Sequence, residues 1–212
     1  MKESKNMFQK SNFFNHSPFS LPHTLSLNNN EYEVRTSFKN WIKLILLYSD
    51  KIIDNEIKIP LVFQLVFCDY EKVLNDLQEE KIKIEDVFKG INYFLNCGLQ
   101  SEEKSNHKKI YDFKQDWDYI YSAFMQQYKI DLNEKPIHWF DFIKLFKGLS
   151  QDTEFVKIIG YRTVDINKLP KEQKQYYRKM KEKYKLQDEY ETETCLMEED
   201  GNEILRKLSK GG

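Results

Sequence analysis

His138 is the side chain with the most obvious capacity for chemistry, because an imidazole near a carboxylate can act as a general base. Asp141 follows three positions later, a spacing that places both side chains on one face of a helix. Base catalysis also requires a nucleophile within reach, and the surrounding sequence supplies none. A histidine at a predicted helix start is more typical of capping or packing, and we favour that interpretation.

Three carboxylates form the second candidate group: Asp112, Asp116 and Asp118. Carboxylate oxygens are suitable ligands for a hard metal ion. Acidic residues are also expected before and within the first turn of a helix, where they cap free N–H groups and complement the helix dipole. We favour this second interpretation.

The remaining histidines, His16, His23 and His107, show no metal-ligand spacing. The sequence contains no CxxC, HExxH, P-loop, GxSxG or GxGxxG motif. We therefore predict a protein that is not an enzyme, with no catalytic residue, no metal site and no cofactor.

A basic, tyrosine-containing run over residues 171–185 is the candidate for nucleic-acid binding, through phosphate contacts and base stacking. Glu172 and Glu182 interrupt it, and an acidic stretch follows. The whole chain has 33 basic and 34 acidic residues, without the basic excess typical of nucleic-acid-binding domains. A solvated helix face is the favoured interpretation, and we predict no nucleic-acid partner.

Two predicted amphipathic helices, rich in aromatic residues, lie between residues 116 and 149 and must position most of the candidate histidine and carboxylate side chains. The first has aromatic residues at helical spacing: Trp117, Tyr121, Phe124 and Tyr128. The second has a similar stripe: Trp139, Phe142, Ile143 and Phe146. Such stripes mostly form core, but their number suggests that some rings line a groove for a partner helix.

The scarcity of Gly (7) and Pro (5) among 212 residues favours a helical fold. We predict a mainly α protein, a compact multi-helix bundle with a small N-terminal β-hairpin. In the hairpin, apolar residues alternate around an Asn-rich turn: Leu25 and Leu27 before it, Tyr32 and Val34 after it.

The predicted organisation has three parts. Residues 1–20 form a polar, flexible arm, residues 21–186 form the helical domain with its hairpin, and residues 187–212 form an acidic, weakly ordered tail. Further helices are predicted from Phe38, over residues 59–67, 70–77 and 84–95, from Asp152 or Thr153, and over residues 171–186, with Gly98 as a left-handed C-cap.

Cysteine usage and apolar patterning indicate a reduced intracellular compartment. The three cysteines have no paired spacing, and the first residues lack the apolar run of a signal peptide. The longest apolar patches, at residues 41–48 and 59–67, are too short to span a bilayer. We predict no membrane partner.

Several segments together resemble a protein family of tailed phages and prophages of Gram-positive bacteria. This family is the gp-fifteen type, which is grouped with tail assembly proteins. The most specific part is DxDYIYxAFxxQY at residues 116–128, IDL at 130–132, HWxxF at 138–142 and GYR at 160–162. Weaker matches occur in the same order: Leu21-Pro22, Glu31-Tyr32, Trp41, Cys97-Gly98 and KxxY at 181–184.

This resemblance implies a tail assembly chaperone acting in the host cell cytoplasm. The implied partners are the phage tape measure protein, the major tail protein and a smaller co-chaperone. The alternative is a structural tail completion or connector component that stays in the virion. The candidate partner-binding residues are those of the aromatic helices: Trp117, Tyr121, Tyr128, His138, Trp139 and Phe142.

Overall fold

A computed structural model describes residues 20–99 and 109–187 of the chain. Within these ranges the protein has eight α-helices, one 3-10 helix and a two-stranded sheet. The prediction of a mainly α fold with an N-terminal hairpin is confirmed. The predicted arm and acidic tail lie outside the described residues, apart from Ser20 and Gln187.

The hairpin forms where the sequence predicts it. Strand β1, Thr24–Leu27, pairs antiparallel with β2, Asn30–Glu33. The two-residue turn is Asn28 and Asn29, whose φ angles are 46° and 64°. Tight hairpin turns need positive φ at both central positions, and asparagine tolerates this conformation better than most residues. The inward-facing side chains are buried: Leu25, Leu27 and Tyr32.

Four helices follow the hairpin: α1, Phe38–Ser49; α2, Asn55–Val66; α3, Tyr70–Gln78; and α4, Ile84–Leu95. The C-terminal end of α2 is fixed to the hairpin by backbone hydrogen bonds. The Arg35 N–H donates to the Val66 carbonyl at 2.7 Å, and the Cys68 N–H donates to the Glu33 carbonyl at 3.0 Å.

Helix α4 ends through left-handed residues, as predicted for Gly98. Cys97 and Gly98 have φ angles of 55° and 80°, and the Gly98 N–H donates to the Tyr93 carbonyl at 2.8 Å. This bond satisfies one of the carbonyls that a helix end leaves free.

The second half contains α5, Trp117–Tyr128; α6, Trp139–Lys147; α7, Glu154–Thr163; the 3-10 helix, Ile166–Lys168; and α8, Lys171–Lys183. The Thr153 hydroxyl accepts a hydrogen bond from the Val156 N–H, so Thr153 rather than Asp152 caps the start of α7. Helix α8 has no buried residue and packs against α7 and the 3-10 helix.

Short backbone contacts join α6 to the first half of the chain. The Trp139 N–H donates to the Thr36 carbonyl at 2.7 Å, and the Phe38 N–H donates to the Ile137 carbonyl at 3.0 Å. The Trp139 indole N–H reaches the Leu95 carbonyl at 2.9 Å. The start of α6 is therefore fixed against both α1 and the end of α4.

Stacked aromatic rings fill the space between α1, α5 and α6. Phe142 stacks on Phe38 with 4.7 Å between ring centroids and on Phe124 with 5.2 Å. Trp139 continues the series, 5.8 Å from Phe142 and 6.2 Å from Trp41. Pairs at these separations stabilise the core beyond the effect of their buried area.

Candidate functional site

Helix α2 differs from its neighbours because it is apolar on both sides. Its inward side is buried in the core: Ile59, Val62, Phe63 and Val66. Surface helices normally carry charged or polar residues on the opposite side, and an all-round apolar helix is normally covered on all sides. The outward side of α2 is therefore the first candidate for a binding surface.

The outward side of α2 consists of residues at i, i+3, i+4 and i+7. Ile57 is 57 % exposed, Pro60 and Leu61 are half-buried, and Gln64 is exposed. Three of these four positions are apolar. Because they recur at helical spacing, they share one face of the helix.

The loop before α2 adds a further exposed aliphatic residue. The Asp50 carboxylate accepts hydrogen bonds from the N–H groups of Ile52 and Ile53, at 2.7 and 3.1 Å. These bonds hold the pKa of Asp50 below its usual value and fix the turn in which Ile52 is 77 % exposed. The buried Lys58 ammonium donates to the Asp50 carbonyl and fixes the turn from the helix side.

We name Ile57, Pro60 and Leu61 of α2, together with Ile52 of the preceding loop, the α2 apolar face. Single apolar side chains on a surface are ordinary, whereas contiguous exposed apolar patches mark interaction sites. The face contains no nucleophile, acid or base, so it offers apolar burial rather than bond-making chemistry. An amphipathic helix of a partner is the type of ligand that such a face accepts.

The six aromatic and imidazole residues predicted to bind a partner occupy different depths. Trp139 and Phe142 are buried, with 2 % and 0 % exposure. Both belong to the aromatic stack, so in this structure they support neighbouring helices rather than form a surface.

Trp117, Tyr121 and Tyr128 are half-buried on α5. Trp117 stacks on Phe38 with 6.4 Å between centroids. The Tyr128 hydroxyl donates to the Leu145 carbonyl at 2.8 Å, linking the end of α5 to α6. Part of each of these three side chains remains accessible, and their role in binding remains a prediction.

His138 caps α6, in agreement with the structural interpretation of this residue. Its Nδ1 accepts from the Phe140 N–H at 3.1 Å, and its Nε2 lies 2.9 Å from the Pro22 carbonyl. A neutral ring protonated on Nε2 satisfies both contacts. Burial lowers the pKa of His138, which favours this neutral form. Both nitrogens are engaged in structural contacts.

Asp116 has a different role from the predicted helix cap. Its side chain makes no capping bond to α5; it forms a bidentate ion pair with Arg162 at 2.7 and 2.8 Å. Asp116 is 1 % exposed and Arg162 10 % exposed at their side chains. The Arg162 guanidinium also donates to the carbonyls of Ile110 and Tyr184. This pair connects α5, α7 and the end of α8.

The other two carboxylates differ in role. Asp112 accepts hydrogen bonds from the N–H groups of Lys114 and Gln115 and so stabilises the turn before α5, whereas Asp118 is exposed in the first turn of α5, as predicted for a helix start. Across residues 20–99 and 109–187, no group of three or more His, Cys, Asp or Glu side chains is placed to hold a metal ion.

Sequence reasoning missed the α2 apolar face and the Asp116–Arg162 pair. The signal for the face was available, because residues 57–67 show no polar side. Arg162 lies 46 positions from Asp116, beyond the reach of local spacing rules. None of the described helices is long and apolar enough to cross a membrane.

Comparison with known proteins gives one family. Residues 19–186 match the model of a family described as Bacteriophage Gp15 protein. The match includes all of the helices and strands described above. No curated protein matches the chain, and no solved structure matches it.

Proposed function

Because the chain belongs to the bacteriophage Gp15 protein family, we propose that it acts in phage morphogenesis as a tail assembly chaperone. Family membership supports a bacteriophage structural or morphogenesis protein. The finer assignment rests on the segment resemblance and on the α2 apolar face. That exposed face is the single structural observation that carries the proposal.

The proposed mechanism is transient capture of apolar surface. The tape measure protein is the proposed partner, and an amphipathic helical segment of it would cover Ile52, Ile57 and Leu61. Burial of apolar area contributes about 25 cal/mol per Å², from which the cost of ordering both partners is subtracted. A face of four side chains is small compared with stable protein interfaces, so binding is weak and reversible.

Weak binding suits a chaperone that must release its partner during assembly. A dissociation constant in the micromolar range corresponds to about −8 kcal/mol, which subunits polymerising around the tape measure protein can outcompete. The half-buried rings of α5, with Trp117, Tyr121 and Tyr128, are a second proposed contact region.

The remaining parts of the proposal concern partners and location. The major tail protein and a smaller co-chaperone are proposed further partners, and the host cell cytoplasm is the proposed place of action. We propose no enzymatic activity and no nucleic-acid or membrane partner.

Co-expression tests the proposal. The tagged chain is produced with the tape measure and major tail proteins of the same phage, and soluble tape measure protein is quantified with and without it. The proposal predicts soluble tape measure protein only when the chain is present, and its recovery with the tag.

Mass spectrometry of purified virions distinguishes the chaperone from the alternative, a tail completion or connector component. A chaperone is absent from virions or far below the copy number of a structural ring. Stoichiometric amounts in the particle would contradict the chaperone proposal and support the structural one.

A further inference from the structure

Helix α8 carries a straight row of cations along one side. Lys171, Lys174, Arg178 and Lys181 follow one another at i, i+3, i+7 and i+10, and we name them the basic stripe. At 1.5 Å per residue the stripe is about 15 Å long. Helix α8 as a whole has six basic and two acidic residues, so its formal charge is +4.

The basic stripe lies beside the side of α8 that packs against α7. Tyr177, Met180 and Tyr184 form that packed side and are half-buried. Tyr184 stacks on Tyr161 with 5.8 Å between ring centroids and an interplanar angle of 11°. Because this packing fixes the rotation of α8, the stripe keeps a defined direction.

The charges of the stripe have no carboxylate partner among the described residues. The Lys174 ammonium donates to the Asn167 carbonyl at 3.1 Å, and the Lys181 ammonium donates to the Val164 carbonyl at 2.9 Å. Carbonyl oxygens orient these ammonium groups but leave their net charge in place. Within the described residues no carboxylate lies within 4.0 Å of the stripe's cationic groups.

The sequence after α8 has the opposite charge. Residues 188–203 contain eight acidic residues and no basic residue. The described chain ends at Gln187, which is held by two hydrogen bonds to the Gln115 side chain, of 2.9 and 3.1 Å. The acidic stretch therefore begins a few residues beyond the C-terminal end of α8.

We propose that residues 188–203 dock in cis on the basic stripe of α8. Sixteen residues span up to about 53 Å when extended, and α8 is about 20 Å long, so the acidic stretch can reach the whole stripe. A short tether keeps its charges near the stripe at an effective concentration in the millimolar range. The attraction between opposite charges then favours docking at low ionic strength.

Cis docking also affects which other molecules can bind the basic stripe. A nucleic acid would have to displace eight tethered carboxylates and would be repelled by them. This proposal involves α8 and not the α2 apolar face, so it stands or fails independently of the chaperone proposal.

Paramagnetic relaxation enhancement in the full-length chain tests cis docking. The variant Cys68→Ser/Cys97→Ser leaves Cys195 as the single thiol, to which a nitroxide spin label is attached. A thermal melt first checks that this variant remains folded. The proposal predicts loss of amide signal intensity over residues 171–178 at low salt, and recovery of that intensity at high salt.

Two matched variants distinguish charge-dependent docking from a spin label that is near α8 only because the tail is attached to this helix. Arg178→Glu reverses one charge of the stripe, whereas Lys179→Glu reverses a neighbouring charge outside it. Signal loss should be relieved by Arg178→Glu and largely kept in Lys179→Glu. Replacement of all eight acidic residues in 188–203 by their amides should relieve it as completely as high salt does.

Three results would overturn the proposal. If the amide-substituted tail causes the same signal loss as the acidic tail, the label approaches α8 without charge-dependent docking. Signal loss in isotope-labelled protein mixed with spin-labelled, unlabelled protein shows docking between two copies. Binding of single-stranded DNA by the wild-type chain, abolished by Arg178→Glu, shows that the stripe serves nucleic acid.

Discussion

Helices α2 and α6 are both short and rich in apolar residues, but they differ in how many of these side chains reach the surface. Helix α6 places Trp139, Phe142 and Phe146 in the core, and its charged residues face solvent. Helix α2 buries one apolar side and leaves Ile57 and Leu61 on the other. Abundant large rings therefore identify core in this protein, whereas a missing polar side identifies a surface available to a partner.

The difference follows from how each helix is surrounded. Phe142 lies between rings of α1 and α5, at 4.7 and 5.2 Å. Helix α2 packs against α1, α3 and the chain that follows β2, and Ile57 on its outer side is 57 % exposed. Under the proposed function, the binding residues lie where packing partners end rather than where aromatic residues are most frequent.

Of these two helices, α6 should lose far more folding stability when one of its apolar residues is removed. Phe142→Ala should lower the free energy of unfolding by about 3–5 kcal/mol, because it removes a stacked ring and leaves a cavity. Urea denaturation followed by circular dichroism measures this change. Ile57→Ala is the control and should change stability by no more than about 0.5 kcal/mol. Equal effects of the two variants would remove the distinction between α2 and α6.

A smaller loss of unfolding free energy is expected when the ion pair that fixes α7 to the start of α5 is changed. Arg162→Lys keeps the charge but loses the bidentate geometry with Asp116, and should cost about 1.5–3 kcal/mol in unfolding free energy. The control is Lys144→Ala, which breaks an exposed pair with Asp141 and should cost less than about 1 kcal/mol. A near-neutral Arg162→Lys would show that the buried pair contributes little.

The hairpin and α3 contain a group whose contribution depends on pH. The Asp76 carboxylate accepts from the Tyr32 hydroxyl at 2.7 Å and pairs with Lys81 at 3.1 Å. These contacts, the tyrosine bond first, lower the pKa of Asp76. A lowered folded-state pKa stabilises the protein above the ordinary aspartate value of about 4, and this stabilisation is lost as pH falls through the folded pKa.

Asp76→Asn should therefore destabilise the protein at neutral pH and have a progressively smaller effect below about pH 4. Thermal melts of both proteins between pH 7 and pH 2.5 measure the difference. The variant Asp54→Asn, at a carboxylate without such contacts in the described structure, serves as the control. A destabilisation by Asp76→Asn that stays constant across this range would contradict the assignment.

The smallest expected effect on stability is on the α2 side. Ile57→Asp should change the free energy of unfolding by no more than about 0.5 kcal/mol, because Ile57 is mostly exposed. The same denaturation experiment measures it. A loss of several kcal/mol would mean that Ile57 packs in the core, and the α2 apolar face would lose its status as a free surface.

Local sequence signals predicted most of the fold. The turn at Asn28 and Asn29, the helix start at Thr153 and the left-handed Gly98 each depend on neighbouring residues only. Hydrophobic spacing likewise located the helices, since a stripe of period 3.6 must find a core. These features need no knowledge of distant contacts.

Long-range contacts account for what was not predicted. Asp116 looked like a helix cap because acidic residues are common there, but its partner Arg162 is 46 positions away. In the same way, sequence periodicity could not decide whether a given ring is buried or reaches the surface. Trp139 and Trp117 have similar local patterns, and only the packing of α6 against α1 and α4 places Trp139 deeper.

Binding of the tape measure protein at the α2 apolar face can be tested by comparing the affinities of three purified proteins. Wild type, Ile57→Asp/Leu61→Asp and the control Leu99→Asp, which changes an aliphatic residue 64 % exposed elsewhere, are each titrated against soluble tape measure segments. If the α2 apolar face binds the tape measure protein, the double variant loses affinity about tenfold, or about 1.4 kcal/mol, and the control binds as wild type does. Wild-type affinity in a folded double variant would contradict this prediction.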